Sequence, residues 1–170
     1  MILSDRDIKE FIKLGKIRFE PPIKPDQIGA GSVDLTLSRK FWRFKEDIDL
    51  IDLATARFED LMEEVDVDEI TIPPHGMIIG MTAEKVYIDS DLCGWIEGRS
   101  RYARLGIAIH SASGFIHPGS YNHQILEISN ITPHPIKVRA GMRIVQIVFE
   151  LTRSKAEKPY RIYGKVARDQ

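Results

Sequence analysis

The chain has 170 residues, 43% hydrophobic and 29% charged, which bounds it to a globular domain with a core of its own and excludes a disordered class. Lys and Arg number 24 against 25 Asp and Glu, for a net charge of −1, so no charge excess points to a nucleic-acid polymer as partner. The single cysteine, Cys93, excludes an intramolecular disulfide, and no apolar run approaches the ~20 residues of a membrane span. The first residues, MILSDRDIKE, lack the basic and apolar regions of a signal peptide, so the expected location is the cytoplasm, away from membranes. Cys93 lies in an apolar stretch and is expected to be a buried structural thiol.

In chain order, Ser4 followed by Asp7 has the spacing of a capping box. Ile8, Phe11 and Ile12 then recur at helical spacing until Gly15, which predicts one short amphipathic helix. Pro21, Pro22 and Pro25 mark an irregular connection. Val33, Leu35 and Leu37 alternate with polar residues and predict a half-buried strand. The acidic stretch 59–69 fits a helix or a solvated loop and is read as an insertion. Short apolar runs then recur between Gly and Pro turns: 70–72, 77–81, 94–96, 106–109, 125–128, 136–138 and 144–149. That pattern predicts a mainly β sandwich or barrel of jelly-roll type. Residues 154–170 are polar and basic and read as a tail, disordered or ordered by a partner.

Three stretches have chemical content. In Glu97-Gly98-Arg99-Ser100-Arg101-Tyr102-Ala103-Arg104-Leu105-Gly106 two glycines bracket a segment fit for a helical turn. Ser100 and Arg104 would then share a face and Arg99 would fork onto a phosphate, although a solvated basic turn has the same spacing. Residues 111–119 are rich in small side chains that let a flat ligand approach the backbone, a trait also of plain connections. Glu127 alternates with Leu126 and Ile128, and the run alone leaves open which face is buried; an inward carboxylate needs a partner such as Arg104, or a function. His110, His117 and His123 lack the companions of a zinc site, and one cysteine cannot supply the signature of the zinc-dependent nucleobase deaminases.

Taken together, Gly31-Ser32-Val33-Asp34-Leu35-Thr36-Leu37, Gly98-Arg99-Ser100 through Gly106, Ile116-His117-Pro118-Gly119, Ile125-Leu126-Glu127 and Gly141-Met142-Arg143-Ile144-Val145-Gln146 resemble, in order, the dCTP deaminase branch of the trimeric dUTPase superfamily. The resemblance runs from the first helix to about Tyr160. It implies a distorted jelly roll, assembled as a homotrimer with active sites between subunits, in one nucleotide-binding domain that ends in a closing tail over 154–170. It implies conversion of dCTP to dUTP and ammonia with no metal activating the water, onward hydrolysis to dUMP and pyrophosphate remaining open. The alternatives are a dUTPase and a nucleotide-binding regulatory trimer without turnover. Carried over by position, Glu127 is the general base, with Ser100 and Arg104 orienting water and cytosine. Arg99 holds phosphate beside a Mg²⁺ bound through the triphosphate, and the backbone at Ser113 helps place the water. Phe115 resembles the aromatic residue of the bifunctional deaminase-dUTPases, and Tyr160, Lys165 and Gln170 resemble residues that close over the nucleotide. His117 stands where the family usually has Asp, and as a histidine it can act as a base or hydrogen-bond the sugar 3′-hydroxyl.

Overall fold

A computed structural model describes residues 1–110 and 112–164; Lys165 and Gln170, expected in nucleotide closure, lie outside the described residues. Helix α1 (Asp5–Lys13) begins at Ser4, whose Oγ accepts from the Asp7 amide at 3.4 Å while the Asp7 carboxylate accepts from the Ser4 amide at 3.0 Å. The expected capping box is therefore formed, and Ile8 on the inward stripe is fully buried.

Eleven strands are described: β1 (Ile17–Glu20), β2 (Val33–Phe44), β3 (Met62–Asp66), β4 (Glu69–Ile72), β5 (Met77–Ile88), β6 (Leu92–Gly98), β7 (Ile107–Ile109), β8 (Phe115–Ile116), β9 (Tyr121–Asn130), β10 (Ile136–Arg139) and β11 (Arg143–Leu151). Nine form one sheet in the order β7-β9-β5-β2-β11-β6-β8, with β1 on β5 and β3 on β2; β4 and β10 pair separately. The pairings are antiparallel, and the sheet curls round one continuous core that includes Leu35, Phe41, Ile78, Leu126, Ile147 and Phe149. The fold is thus mainly β, as the recurring apolar runs predict, and Cys93 is a buried free thiol. No helix among the described residues is long and apolar enough to cross a membrane.

Three stretches take more definite structure than their sequence suggests. Residues 58–66 form the short helix α2 (Phe58–Leu61) and then β3, so the acidic stretch is largely an edge strand on β2. The small-residue stretch contains β8, two residues paired with Gly94 and Trp95 of β6. The tail, as far as Gly164, is held by the chain's own residues: the Ala156 amide donates to the Ser90 carbonyl at 2.8 Å, and the helical turn α4 (Tyr160–Tyr163) starts with the Tyr160 amide on the Pro118 carbonyl at 2.8 Å.

The curl depends on β2 changing partners. Its first residues pair with β11 and its later ones with β5 and β3, while β5 carries an irregularity between Met81 and Lys85 where its pairing with β9 slips. Such slips strand backbone amides inside the protein. Glu84, only 5% exposed, answers one of them: its Oε2 accepts the Thr36 amide at 2.8 Å and its Oε1 accepts Gln27 Nε2 at 2.9 Å. Thr82 Oγ1 answers another, accepting the Gln124 amide at 2.9 Å and donating to the Glu84 carbonyl at 2.8 Å. Glu84→Ala should therefore lower stability by about 1–3 kcal/mol, the range for leaving a buried donor without its acceptor. Urea unfolding measures it; a loss within error of zero would mean that water replaces the carboxylate without penalty.

Candidate active site

Glu127 lies on β9, where Leu126 and Ile128 are fully buried in the core. Alternation therefore turns Glu127 to the opposite face of the strand, where its side chain is 37% exposed. The pairing of β7 with β9 sets Ile109 opposite Ile128, and the next residue, His110, reaches the carboxylate. The His110 amide donates to the Glu127 carbonyl at 3.1 Å, and Nδ1 of its ring, only 6% exposed, bonds to Glu127 Oε2. His110 takes a left-handed backbone, φ +50°, which a non-glycine residue adopts only when its surroundings hold it there. The hydrogen bond from His110 outweighs the opposing effect of burial and holds the Glu127 carboxyl below its ordinary value of 4.5. An acceptor so ionised assigns the ring proton to Nδ1.

A second group forms where α3 (Ser100–Ala103) leaves β6. The turn closes with the Arg104 amide on the Ser100 carbonyl at 3.1 Å and stops at Gly106, φ +87°, where a Cβ would sit 2.0 Å from Thr132 Cγ2. Ser100 and Arg104 thus share the turn as their spacing predicts, and both are exposed. Arg99, just before the turn, pairs through Nη2 with Asp34 at 3.1 Å and donates from Nη1 to the Arg143 carbonyl at 2.9 Å. Arg143 in turn donates to Asp26 Oδ1 at 3.1 Å, and Ser32 Oγ bonds to Gln146 Oε1 at 2.8 Å. Asp26, Ser32, Asp34, Arg99 and Gln146, with Gln27, Gly29 and Ser100, line a polar cavity of about 400 Å³. Burial pushes the Asp34 carboxyl up against the pull of Arg99 and Arg143. A larger cavity, about 670 Å³, lies among Arg43, Val65, Ile70 and Met77 and includes none of the expected site residues.

The third group is aromatic. Phe115 on β8 and His117 just after it meet edge to face with centroids 4.9 Å apart, and the His117 ring stacks on Tyr160 at 5.3 Å. Ser113 is exposed in the connection between β7 and β8. The structure therefore gathers Arg99 with Ser100, and Phe115 with His117 and Tyr160, and sets Glu127 beside His110. Among the described residues no hydrogen bond or ion pair joins Glu127 to Ser100 or Arg104, and the carboxylate's partner there is His110 and not Arg104.

In the sequence, His110 stands out only as a metal-ligand candidate, and no spacing marks a role for Asp34, Asp26 or Gln146. Asp34 and Gln146 stand within two of the motifs, at polar positions of alternating strands, which was an available signal. Nothing local marks His110. Among the described residues no group of three or more His, Cys, Asp or Glu side chains is placed to hold a metal ion. The polar cavity instead offers the oxygens of Asp34, Asp26 and Gln146, hard donors suited to Mg²⁺ that brings most of its ligands as water and phosphate.

Removing the imidazole should move the Glu127 titration up. In an NMR titration of the side-chain carboxyl, the wild-type midpoint is expected below 4.5 and that of His110→Ala above the wild-type value. Because the folded value is depressed, the carboxylate's contribution to stability is present above its unfolded pKa and is lost as the pH falls through the folded one. Equal midpoints in the two proteins would remove His110 as the cause.

The dCTP deaminase-like family matches residues 2–152 of the chain. A protein of Dictyoglomus thermophilum described as "dCTP deaminase, dUMP-forming" is 40% identical over 165 residues, covering 94% of this chain and 85% of its relative. One of the same description from Methanosphaera stadtmanae is 38% identical over 169 residues, covering 94% and 83%. The crystal structure of 2′-deoxycytidine 5′-triphosphate deaminase from Agrobacterium tumefaciens matches with a TM-score of 0.69 at 25% identity, over 89% of this chain and 48% of that one. This chain thus spans about half the length of that solved deaminase. The dUTPase of Streptococcus mutans, TM-score 0.51 at 18% identity over 78% of this chain and 87% of that one, shares the fold.

Proposed function

The chain belongs to the dCTP deaminase-like family, and from that membership we propose that it hydrolyses dCTP at C4 to release ammonia, with onward hydrolysis of dUTP to dUMP and pyrophosphate. The observation that carries this reading is Glu127, an ionised carboxylate turned away from the core of its own strand and gripped by a buried histidine. The carboxylate is in the form that accepts a proton, and exclusion of water when dCTP fills the site would raise its basicity toward that of a general base. It takes a proton from the water that attacks C4, and passes it to the departing 4-amino group, so that water and dCTP leave as dUTP and ammonia. His110 holds the acceptor oxygen in place. Ser100 and Arg104 orient the water and the base, and the exposed backbone at Ser113 contributes to placing the water.

Arg99 takes a phosphate oxygen, as a guanidinium suits. Asp34, Asp26 and Gln146 are the residues that would face a Mg²⁺ bound with the triphosphate, which would supply neutralisation of its charge. Phe115, His117 and Tyr160 form a wall beside which the tail, with Lys165 and Gln170, closes. The site is completed between subunits of a homotrimer: Glu127 has its partner at home, whereas Ser100 and Arg104 stand exposed on a turn with no hydrogen bond or ion pair to it among the described residues. The onward step rests on the relatives described as dUMP-forming.

Purified protein given dCTP and Mg²⁺ should yield dUMP and pyrophosphate, resolved by chromatography. Accumulation of dUTP would limit the activity to deamination, and untouched dCTP would overturn it. Glu127→Gln should abolish ammonia release and still bind dCTP; unchanged deamination in that variant would sink the mechanism. Subunit sharing has its own test. Neither Glu127→Gln nor Arg104→Ala should turn over alone, yet the two unfolded and refolded together should regain roughly a quarter of wild-type activity, the share of intact sites that random cyclic mixing leaves. Failure to regain any would put Glu127 and Arg104 in one subunit's site.

A further inference from the structure

Four aromatic side chains run in a row from β6 to the tail, and neither the core nor the proposed chemistry requires all of them. Trp95 and Phe115 are cross-strand partners in the β6–β8 ladder, both exposed, with centroids 4.9 Å apart. Phe115 meets His117 edge to face, and His117 lies flat on Tyr160 with planes only 5° apart. The backbone closes the same junction. The Tyr160 amide donates to the Pro118 carbonyl at 2.8 Å, and the amide and hydroxyl of Ser120 donate to the His117 carbonyl at 3.2 and 2.5 Å. Gly119, φ +77°, approaches Pro159 so closely that a Cβ there would lie 2.4 Å from the proline Cβ. The turn at 117–119 and the segment at 159–160 are thus shaped to each other through a ring face, a hydrogen bond and a missing side chain.

We propose that His117 is a positioning residue that acts through Tyr160: its ring, steadied by Phe115 and Trp95, docks residues 156–164 on the subunit's own β6–β8 edge. Residues 156–160 are thereby held at Ser90 and Pro118, which flank β6 and β8. The consequence for catalysis rests on the reading that this tail closes over dCTP; the docking itself does not. What the position needs is a flat ring, so a carboxylate there, having no face to stack, cannot do the same work.

Three variants separate docking from acid–base chemistry. His117→Phe keeps the ring and removes both nitrogens, His117→Ala removes the ring, and His117→Asp replaces it with a carboxylate. If His117 docks the tail, the Ala and Asp variants raise KM for dCTP about two- to tenfold above that of the Phe variant, the range of one aromatic pair. A collapse of kcat in the Phe variant as deep as in the Ala variant would overturn the proposal in favour of a proton-transfer role. A second readout needs no turnover: tryptic cleavage after Lys155 and Arg161, compared with wild type, should be about two- to tenfold faster in the Ala and Asp variants and unchanged in the Phe variant. Equal cleavage in all four proteins would overturn the docking. A wild-type protein that leaves dCTP intact would count against the assigned reaction alone, since cleavage still decides whether His117 holds the tail.

Discussion

The structure turns on a buried carboxylate. Glu84 sits where β5 loses register with β9 and where β2 passes from β11 to its other neighbours, and it accepts both the amide of Thr36 and the side chain of Gln27. A carboxyl group is an unusual thing to leave in the middle of a β sheet, and here each of its oxygens has a donor. The curl that results carries consequences outward. Gln27 ends the short turn that holds Asp26, Asp26 meets Arg143, and Arg143 offers its carbonyl to Arg99. A polar chain of contacts thus links the irregular centre of the sheet to the cavity proposed for phosphate.

The two halves of the candidate site are built by different means. The Glu127 half is made by strand register: once Ile109 faces Ile128, His110 has nowhere else to go, and its left-handed backbone is the local strain this placement requires. The Arg99 half is made by charge, in which Asp34, Asp26, Arg143 and Arg99 hold one another across three segments of chain that are distant in sequence. Register is rigid and charge pairs are adaptable, a division that would suit the proposed base on one side and the proposed triphosphate on the other.

Much of this was legible beforehand, and what was not has identifiable causes. The helix showed itself through Ser4 and Asp7 because a capping box is local, and β2 through Val33, Leu35 and Leu37 because its inner face is fully buried. β3 was hidden since it lies at an edge, where only Met62 is buried and no alternation develops. β8 has two residues, too few for any period. The orientation of Glu127 stayed open because Leu126, Ile128 and Ile125 are all apolar; only the curl of the sheet decides which of them face in. His110 escaped because its role comes from register with a strand eleven or more residues away, information that spacing does not hold.

The pair of Arg99 with Asp34 has one more implication. The cavity carries its own counterion, so its arginine is never bare. An incoming anion must outcompete a carboxylate already seated there, which favours multiply charged ligands over singly charged ones, and when the anion departs the carboxylate reclaims the guanidinium. In the proposed role of Arg99, entry would thereby be made selective and exit easy by the same two side chains.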